Sequence, residues 1–211
     1  MGASAAEAVA ALHRLLPREF YARSSVDVAR DLLGKILVSE SDEGPATATI
    51  VETEAYGGPD DLASHARAGL TKRTAPMFGP PGHAYVYLVY GMHECLNVVT
   101  EEDGRAGAVL LRAGHPLTGI DLMRRRRARP GDPDGRLAAG PARLAQALAV
   151  TRADNGHDLT LGRRLWVADP GLPSAAAIEA GPRIGISYAG AEWAGRPWRF
   201  WLRGEPAASR P

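Results

Sequence analysis

The chain has 211 residues, of which 45% are apolar and 23% charged, and its formal net charge is +1. That length and balance suit one soluble globular domain with a substantial core. No apolar run approaches bilayer length, and a single cysteine, Cys95, excludes an intrachain disulfide and fits a reducing cytoplasm.

The first sixteen residues, MGASAAEAVAALHRLL, have no basic leader, and Glu7 and His13 interrupt their apolar run. They read as a flexible extension rather than a signal peptide. A single domain is expected over 17–205, with a short tail over 206–211. RSSVDVARDLLGK predicts a helix, with Ser24 or Ser25 as N-cap, Asp27 in its first turn and Gly34 as its stop. KILVS and TATIVETEA predict strands. Residues 57–83, rich in Gly, Pro, Asp and Ser, predict a long loop with one short helix near Asp60–Ala66. AYVYLVY and ECLNVV predict a hairpin around the turn YGMH, and GAVLLRAG a further strand. DLMRRRRAR predicts a helix, RPGDPDGRLAAG an exposed loop, and PARLAQALAV an amphipathic helix with Pro141 in its first turn. LWVAD, PRIGIS and WRFWLRG predict late strands. Strands dominate without regular βαβ alternation, so the expected fold class is α+β on a mostly antiparallel sheet.

Charge is unevenly spread. Residues 40–61 hold seven acids and no Lys or Arg, while residues 112–164 hold eleven Arg against five Asp. Such asymmetry permits a polyanion partner without requiring one. The run Arg124–Arg127 suits a solvated helix face or a phosphate contact equally well.

Chemistry has few candidates. Neither GxSxG nor a phosphate-cradling GxxxxGK[ST] is present, and GPPG at 79–82 precedes a strand, so it is a turn. His65, His83, His93 and Cys95 invite a metal reading, but no CxxC or HExxH spacing supports one. No metal or other cofactor is expected. Glu52 and Glu54 are two apart on a strand, so strand alternation puts them on the face of Ala48 and Ile50. They are either acids on a wet edge strand or carboxylates placed in a pocket. Tyr85 and Tyr87 share a face, and Tyr90 stands at the hairpin turn, where an aromatic ring suits stacking on or wedging between bases. A carboxylate beside these tyrosines and near Arg112 could deprotonate water, and the arginine would keep it ionised.

The segments VETEAY, SHARAG, MFGPPGHAYVYLVYGMHECLNVV, VLLRAG and GPARLAQAL, in this order, resemble the alkyladenine (3-methylpurine) DNA glycosylases. The resemblance runs from LPREFY to WLRG. It implies a compact α+β domain with a curved antiparallel sheet, and an enzyme that flips damaged purines out of duplex DNA and hydrolyses the N-glycosidic bond. It further implies Glu54 as the base that activates water, Arg112 holding that water, and Tyr56, His65 and Tyr87 around the flipped base. Tyr90 would fill the vacated gap, and Asn97 would clash with the 2-amino group of normal guanine. Thr74 stands where family members often carry Asn. Lys72 is the one amine in the long loop, and the family gives it no lyase role, so the enzyme is expected to be monofunctional. The expected partner is double-stranded DNA bearing damaged purines, met by a cytoplasmic monomer. Two rival readings are a non-enzymatic damaged-DNA binder and a glycoside hydrolase pairing Glu52 with Glu54.

Overall fold

The computed structural model describes residues 14–127, 131–171 and 177–209. Nine described strands form one antiparallel sheet: β1 Arg14–Leu15, β2 Ile36–Ser41, β3 Gly44–Tyr56, β4 Ala84–Val89, β5 His93–Val99, β6 Ala108–Thr118, β7 Leu165–Asp169, β8 Ile178–Gly181 and β9 Arg199–Leu202. Their order is β1-β7-β2-β3-β6-β5-β4, with β9 joining both β3 and β8. The sheet curls into a half-barrel. The described α-helices are α1 Arg18–Tyr21, α2 Ser25–Asp31, α3 Ile120–Arg127, α4 Pro141–Ala147 and α5 Gly190–Gly195. This is the α+β, antiparallel architecture expected from the sequence.

Local chemistry explains the helices. Ser24 caps α2 by accepting a hydrogen bond from the Asp27 N–H, and Gly34, at φ 82°, turns the chain after it. Pro141 opens α4, where its missing N–H costs nothing. Both helices turn an apolar face to the sheet. Val28, Ala29 and Leu32 come from one side, and Leu144, Ala145 and Leu148 from the other, all buried in the core. Each fully buried Leu stabilises the fold by roughly 1.5–3 kcal/mol. The sheet presents Ala84 and Val86, Leu96 and Val98, and Val109 and Leu111 to that core. The intervening Tyr85, Tyr87, Cys95, Asn97, Leu110 and Arg112 therefore point to the opposite face.

β3 departs from simple alternation. Its register to β6 runs Ile50 with Gly114, then Glu52 with Ala113, then Thr53 with Leu111, so there is an irregularity on each side of Glu52. Ile50 and Val51 are consecutive, and both lie in the core. The extra residue inverts the alternation. Glu52 and Glu54 consequently lie opposite Ala48 and Ile50, not beside them as strict alternation predicts. β3 also changes neighbour here. Residues 44–49 pair with β2, whereas Glu52–Glu54 pair with Arg199–Trp201 of β9.

Other expectations change. PRIGIS is not a strand: β8 ends at Gly181, and the following segment leaves the sheet because Arg183 turns inward to a buried carboxylate. The loop expected over 129–140 is not wholly exposed, since Leu137 and Ala138 are fully buried. The helix expected near residues 60–66 is instead a single 3-10 turn over His65–Ala68. Residues 1–13 of the expected extension lie outside the described residues, and so do 128–130, with the end of the expected arginine-rich helix. The last part of the extension joins the fold, because Arg14 and Leu15 pair with β7 and Leu16 is buried. The expected tail contributes as well, with Ala207 buried and Ser209 hydrogen-bonded to Glu52. Residues 210–211 lie outside the described residues.

Candidate active site

The face opposite the core carries a row of residues in register across five strands: Tyr85, Asn97, Leu110, Glu54 and Arg199. Glu52 and Glu54 flank Thr53, whose hydroxyl donates to the Ala29 carbonyl on the helical side. Both carboxylates have no exposed surface. Two buried guanidiniums balance them. Arg112 lies 3.2 Å from Glu54 through Nη1 and 3.3 Å from Glu52 through Nε, and Arg199 donates to Glu52 at 3.1 Å. Buried charges are tolerated when paired and hydrogen-bonded in this way. Burial works against the Arg112 charge, but the Glu54 and Glu52 carboxylates outweigh it and raise its pKa above the ordinary value.

Glu54 receives two further donors. The Tyr56 hydroxyl donates to Oε2 at 2.7 Å, and the Ile184 N–H donates to Oε1 at 2.7 Å. Burial, and then the Glu54 charge, hold the Tyr56 phenol well above its usual pKa, so it remains a donor. Glu52 is occupied on both oxygens, by Arg112 and Arg199 on Oε1 and by the Ser209 N–H and hydroxyl on Oε2. It has no oxygen left to serve as the acid of a two-carboxylate glycosidase.

Tyr56, the hydrogen-bond partner of Glu54, lines a small cavity of about 50 Å³, whose walls also include His65, Tyr85, Tyr87, Asn97 and Tyr188. The His65 and Tyr87 rings meet edge to face at 4.6 Å, and His65 Nδ1 is 3.0 Å from the Tyr85 hydroxyl. Burial first, then Arg73 and Arg67, lower the His65 pKa to about 4, so the ring is neutral at pH 7. Asn97 donates its amide to the Tyr85 carbonyl at 3.0 Å, which fixes the side chain in the cavity wall. Tyr85 and Tyr87 also border a wider groove of about 550 Å³ that runs past Lys72, Arg73 and Arg152.

Two loops hold this wall. Arg183 forms a double hydrogen bond to Asp61, at 2.6 and 2.9 Å, and a third to the Ala55 carbonyl at 2.9 Å. Its guanidinium stacks 4.8 Å from the Tyr56 ring centre. Tyr188 donates to the Ala63 carbonyl across the same junction. Thr74 is buried and closes its own turn: its hydroxyl donates to the Gly69 carbonyl at 2.7 Å and accepts from the Thr71 N–H.

Tyr90 stands apart from the cavity. It caps the β4–β5 hairpin with 88% of its surface exposed and a backbone φ of 52°. A bulky residue with positive φ is uncommon and strained. In the arginine run, Arg124 pairs with Asp134, Arg126 with Glu43 and the Ala147 carbonyl, and Arg127 with Gln146. These three brace α3 against its surroundings, and Arg125 is exposed. Among the described residues, no group of three or more His, Cys, Asp or Glu side chains could hold a metal ion. No described helix is long and apolar enough to cross a membrane.

Sequence reasoning singled out Glu54, Arg112, Tyr56, His65, Tyr87 and Asn97, and the structure brings all six to this face, whereas Tyr90 lies at the exposed tip of the β4–β5 hairpin. It missed Arg199, Ser209, Ile184, Tyr188 and the Asp61–Arg183 pair. The acids of residues 40–61 carried a partial signal, since Asp61 is one of them. Nothing local marks Arg199 or Ser209, which reach Glu52 from 147 and 157 residues away.

A family model for methylpurine-DNA glycosylase matches residues 19–206. Among similar proteins, one from Methanocella arvoryzae is 50% identical over 93% of this chain and 96% of its own length. One from Anaeromyxobacter dehalogenans is 53% identical, covering 93% of this chain and 86% of its own. One from Streptomyces avermitilis is 47% identical, covering 92% and 90%. All three are named as candidate 3-methyladenine DNA glycosylases. The protein is thus a DNA glycosylase, a hydrolase of N-glycosyl bonds that works in DNA repair. It belongs to the methylpurine-DNA glycosylase family.

Proposed function

We propose that this enzyme excises alkylated purines, 3-methyladenine among them, and deaminated purines from double-stranded DNA, with Glu54 activating the attacking water. The observation that carries the reading is the environment of Glu54: a fully buried carboxylate, flanked by Arg112 and hydrogen-bonded to Tyr56, which lines an aromatic cavity. The damaged nucleotide leaves the helix and its base enters between Tyr56, His65 and Tyr87. Flipping costs a few kcal/mol, least at a damaged or mismatched pair, which favours lesions. A cationic alkylated purine stacks well on tyrosine faces. Asn97, fixed by its bond to the Tyr85 carbonyl, opposes the 2-amino group of guanine. Tyr90 occupies the space the base vacates.

In the chemical step, Glu54 takes a proton from water while the water oxygen bonds to C1′ of the sugar. The N-glycosidic bond breaks and its electron pair leaves with the base. Arg112 orients the water and balances the carboxylate charge. Water is the nucleophile, so the DNA strand stays intact and the enzyme is monofunctional. General-base catalysis contributes on the order of 10²–10⁴-fold in rate. The test is base release from methylated duplex DNA and from duplexes with one hypoxanthine or one ethenoadenine, by wild type and Glu54→Gln, in the presence of a chelator. Release by wild type and a drop of about 10²-fold or more in Glu54→Gln supports the reading. A Glu54→Gln variant that keeps the wild-type rate overturns it.

A further inference from the structure

Glu52 has no part in the proposed chemistry, yet it is more fully bound than Glu54. Its Oε1 accepts from Arg112 Nε at 3.3 Å and from Arg199 Nη1 at 3.1 Å. Its Oε2 accepts two hydrogen bonds from one residue, Ser209, through the backbone N–H and the hydroxyl, both at 3.0 Å. Arg199 holds the same junction together. It donates to the Ser209 carbonyl and, through Nε, to the carbonyl of Pro182, two residues before the Ile184 N–H that holds Glu54.

Arg112 is shared almost equally between the carboxylates, at 3.3 Å to Glu52 and 3.2 Å to Glu54. How a guanidinium divides itself depends on what else serves each acid. With Ser209 in place, the second oxygen of Glu52 is satisfied and Arg112 is free to keep one arm on Glu54. Without Ser209, a buried carboxylate oxygen loses both its donors and bears the full desolvation penalty of an unpaired charged group. The guanidiniums already on Oε1 are the donors at hand to recover that loss, and Arg112 moves toward Glu52 and away from Glu54.

We infer that Ser209 and Glu52 are positioning residues that set the Arg112 guanidinium against Glu54. The inference rests on the proposed roles of Arg112 and Glu54. Ser209 lies beyond the residues 19–206 matched by the family. The contact acts on catalysis, not on lesion binding, because none of its atoms borders the aromatic cavity.

The experiment uses the full chain and methylated duplex DNA. Single-turnover release of 3-methyladenine is measured with enzyme in excess, together with the Kd for the same DNA and the Tm. The variants are Ser209→Thr, which keeps both donors, Ser209→Ala, which keeps the N–H, Ser209→Pro, which removes both, and Glu54→Gln. Misplacing a reacting group by about 1 Å costs on the order of 10²-fold in rate. The single-turnover rate is expected to fall about 10-fold or more in Ser209→Pro, less in Ser209→Ala and not in Ser209→Thr, with Kd and Tm unchanged. Should Ser209→Pro lower the Tm, the Ala and Thr variants decide by the same criterion. Wild-type rates in Ser209→Pro and Ser209→Ala, beside an inactive Glu54→Gln, overturn this inference and leave the proposed mechanism standing. A loss that follows Kd also overturns it. An active Glu54→Gln overturns the mechanism itself, whatever the Ser209 variants do.

Discussion

The Asp61–Arg183 pair offers a direct test of what holds the candidate site in shape. Asp61 accepts four hydrogen bonds, two from Arg183 at 2.6 and 2.9 Å and one each from the Gly57 and Ala63 N–H groups at 2.9 and 3.0 Å. The two side chains are 1% and 0% exposed. Asp61→Asn removes the charge and one acceptor but leaves Arg183 in place, still stacked on Tyr56 and Trp198. Breaking a buried pair from one side costs about 3–5 kcal/mol, because the remaining charge has no counterion. At roughly 2–4 °C per kcal/mol for a chain of this size, Tm falls by about 6–20 °C. Calorimetry or circular dichroism on wild type, Asp61→Asn, Arg183→Met and the double variant gives the coupling. The double variant is expected to recover much of the loss, since no charge is then stranded. A fall of less than about 2 °C in Asp61→Asn refutes the assignment of this pair as the clamp between the two loops. Arg183 adjoins Ile184, whose N–H holds Glu54, so base release by Asp61→Asn is also expected to slow at temperatures where the protein remains folded.

Tyr90→Ser is expected to reduce base release from duplex DNA more than from single strands, because only the duplex has a gap to fill. Equal losses on both substrates sink the wedge role. His65 is expected to titrate near pH 4 when its ring signals are followed by NMR, and a midpoint near 6.5 contradicts the packing described. Its lowered pKa also sets a direction for stability. The unfolded chain takes up this proton near pH 6.5 and the folded protein only near 4. The contribution of His65 is therefore complete above pH 6.5 and is lost as pH falls through that window. His65→Phe is expected to flatten the fall in Tm between pH 6.5 and 4.

The strands were legible because their apolar residues alternate over long stretches: Ala84 and Val86, Leu96 and Val98, Val109 and Leu111 all face the core as their spacing predicts. Helix α2 was legible from its serine cap and its closing glycine. Alternation failed at Val51, because a bulge is set by how two strands fit together and leaves no period of its own. Glu54 was still recognisable, through its neighbours in VETEAY and not through the face assigned to it. PRIGIS misled for a related reason. Its apolar and β-branched residues read as a strand, but Arg183 has a buried partner 122 residues away that outweighs local preference. Ser209 and Arg199 were invisible for the same cause, since their roles exist only once distant segments meet at Glu52.

The bulge at which β3 exchanges β2 for β9 has a consequence for biosynthesis. Glu52 and Glu54 emerge early, yet their partners come 60, 130 and 157 residues later, in Arg112, Ile184 and Ser209. Contacts so distant in sequence form late in folding. On the ribosome, the helices and β2 can pack against the first half of β3 while the second half still lacks β9. A nascent chain therefore has no assembled carboxylate site until almost all of it has been made, and a prematurely ended chain would carry the glutamates without the partners that pair and place them.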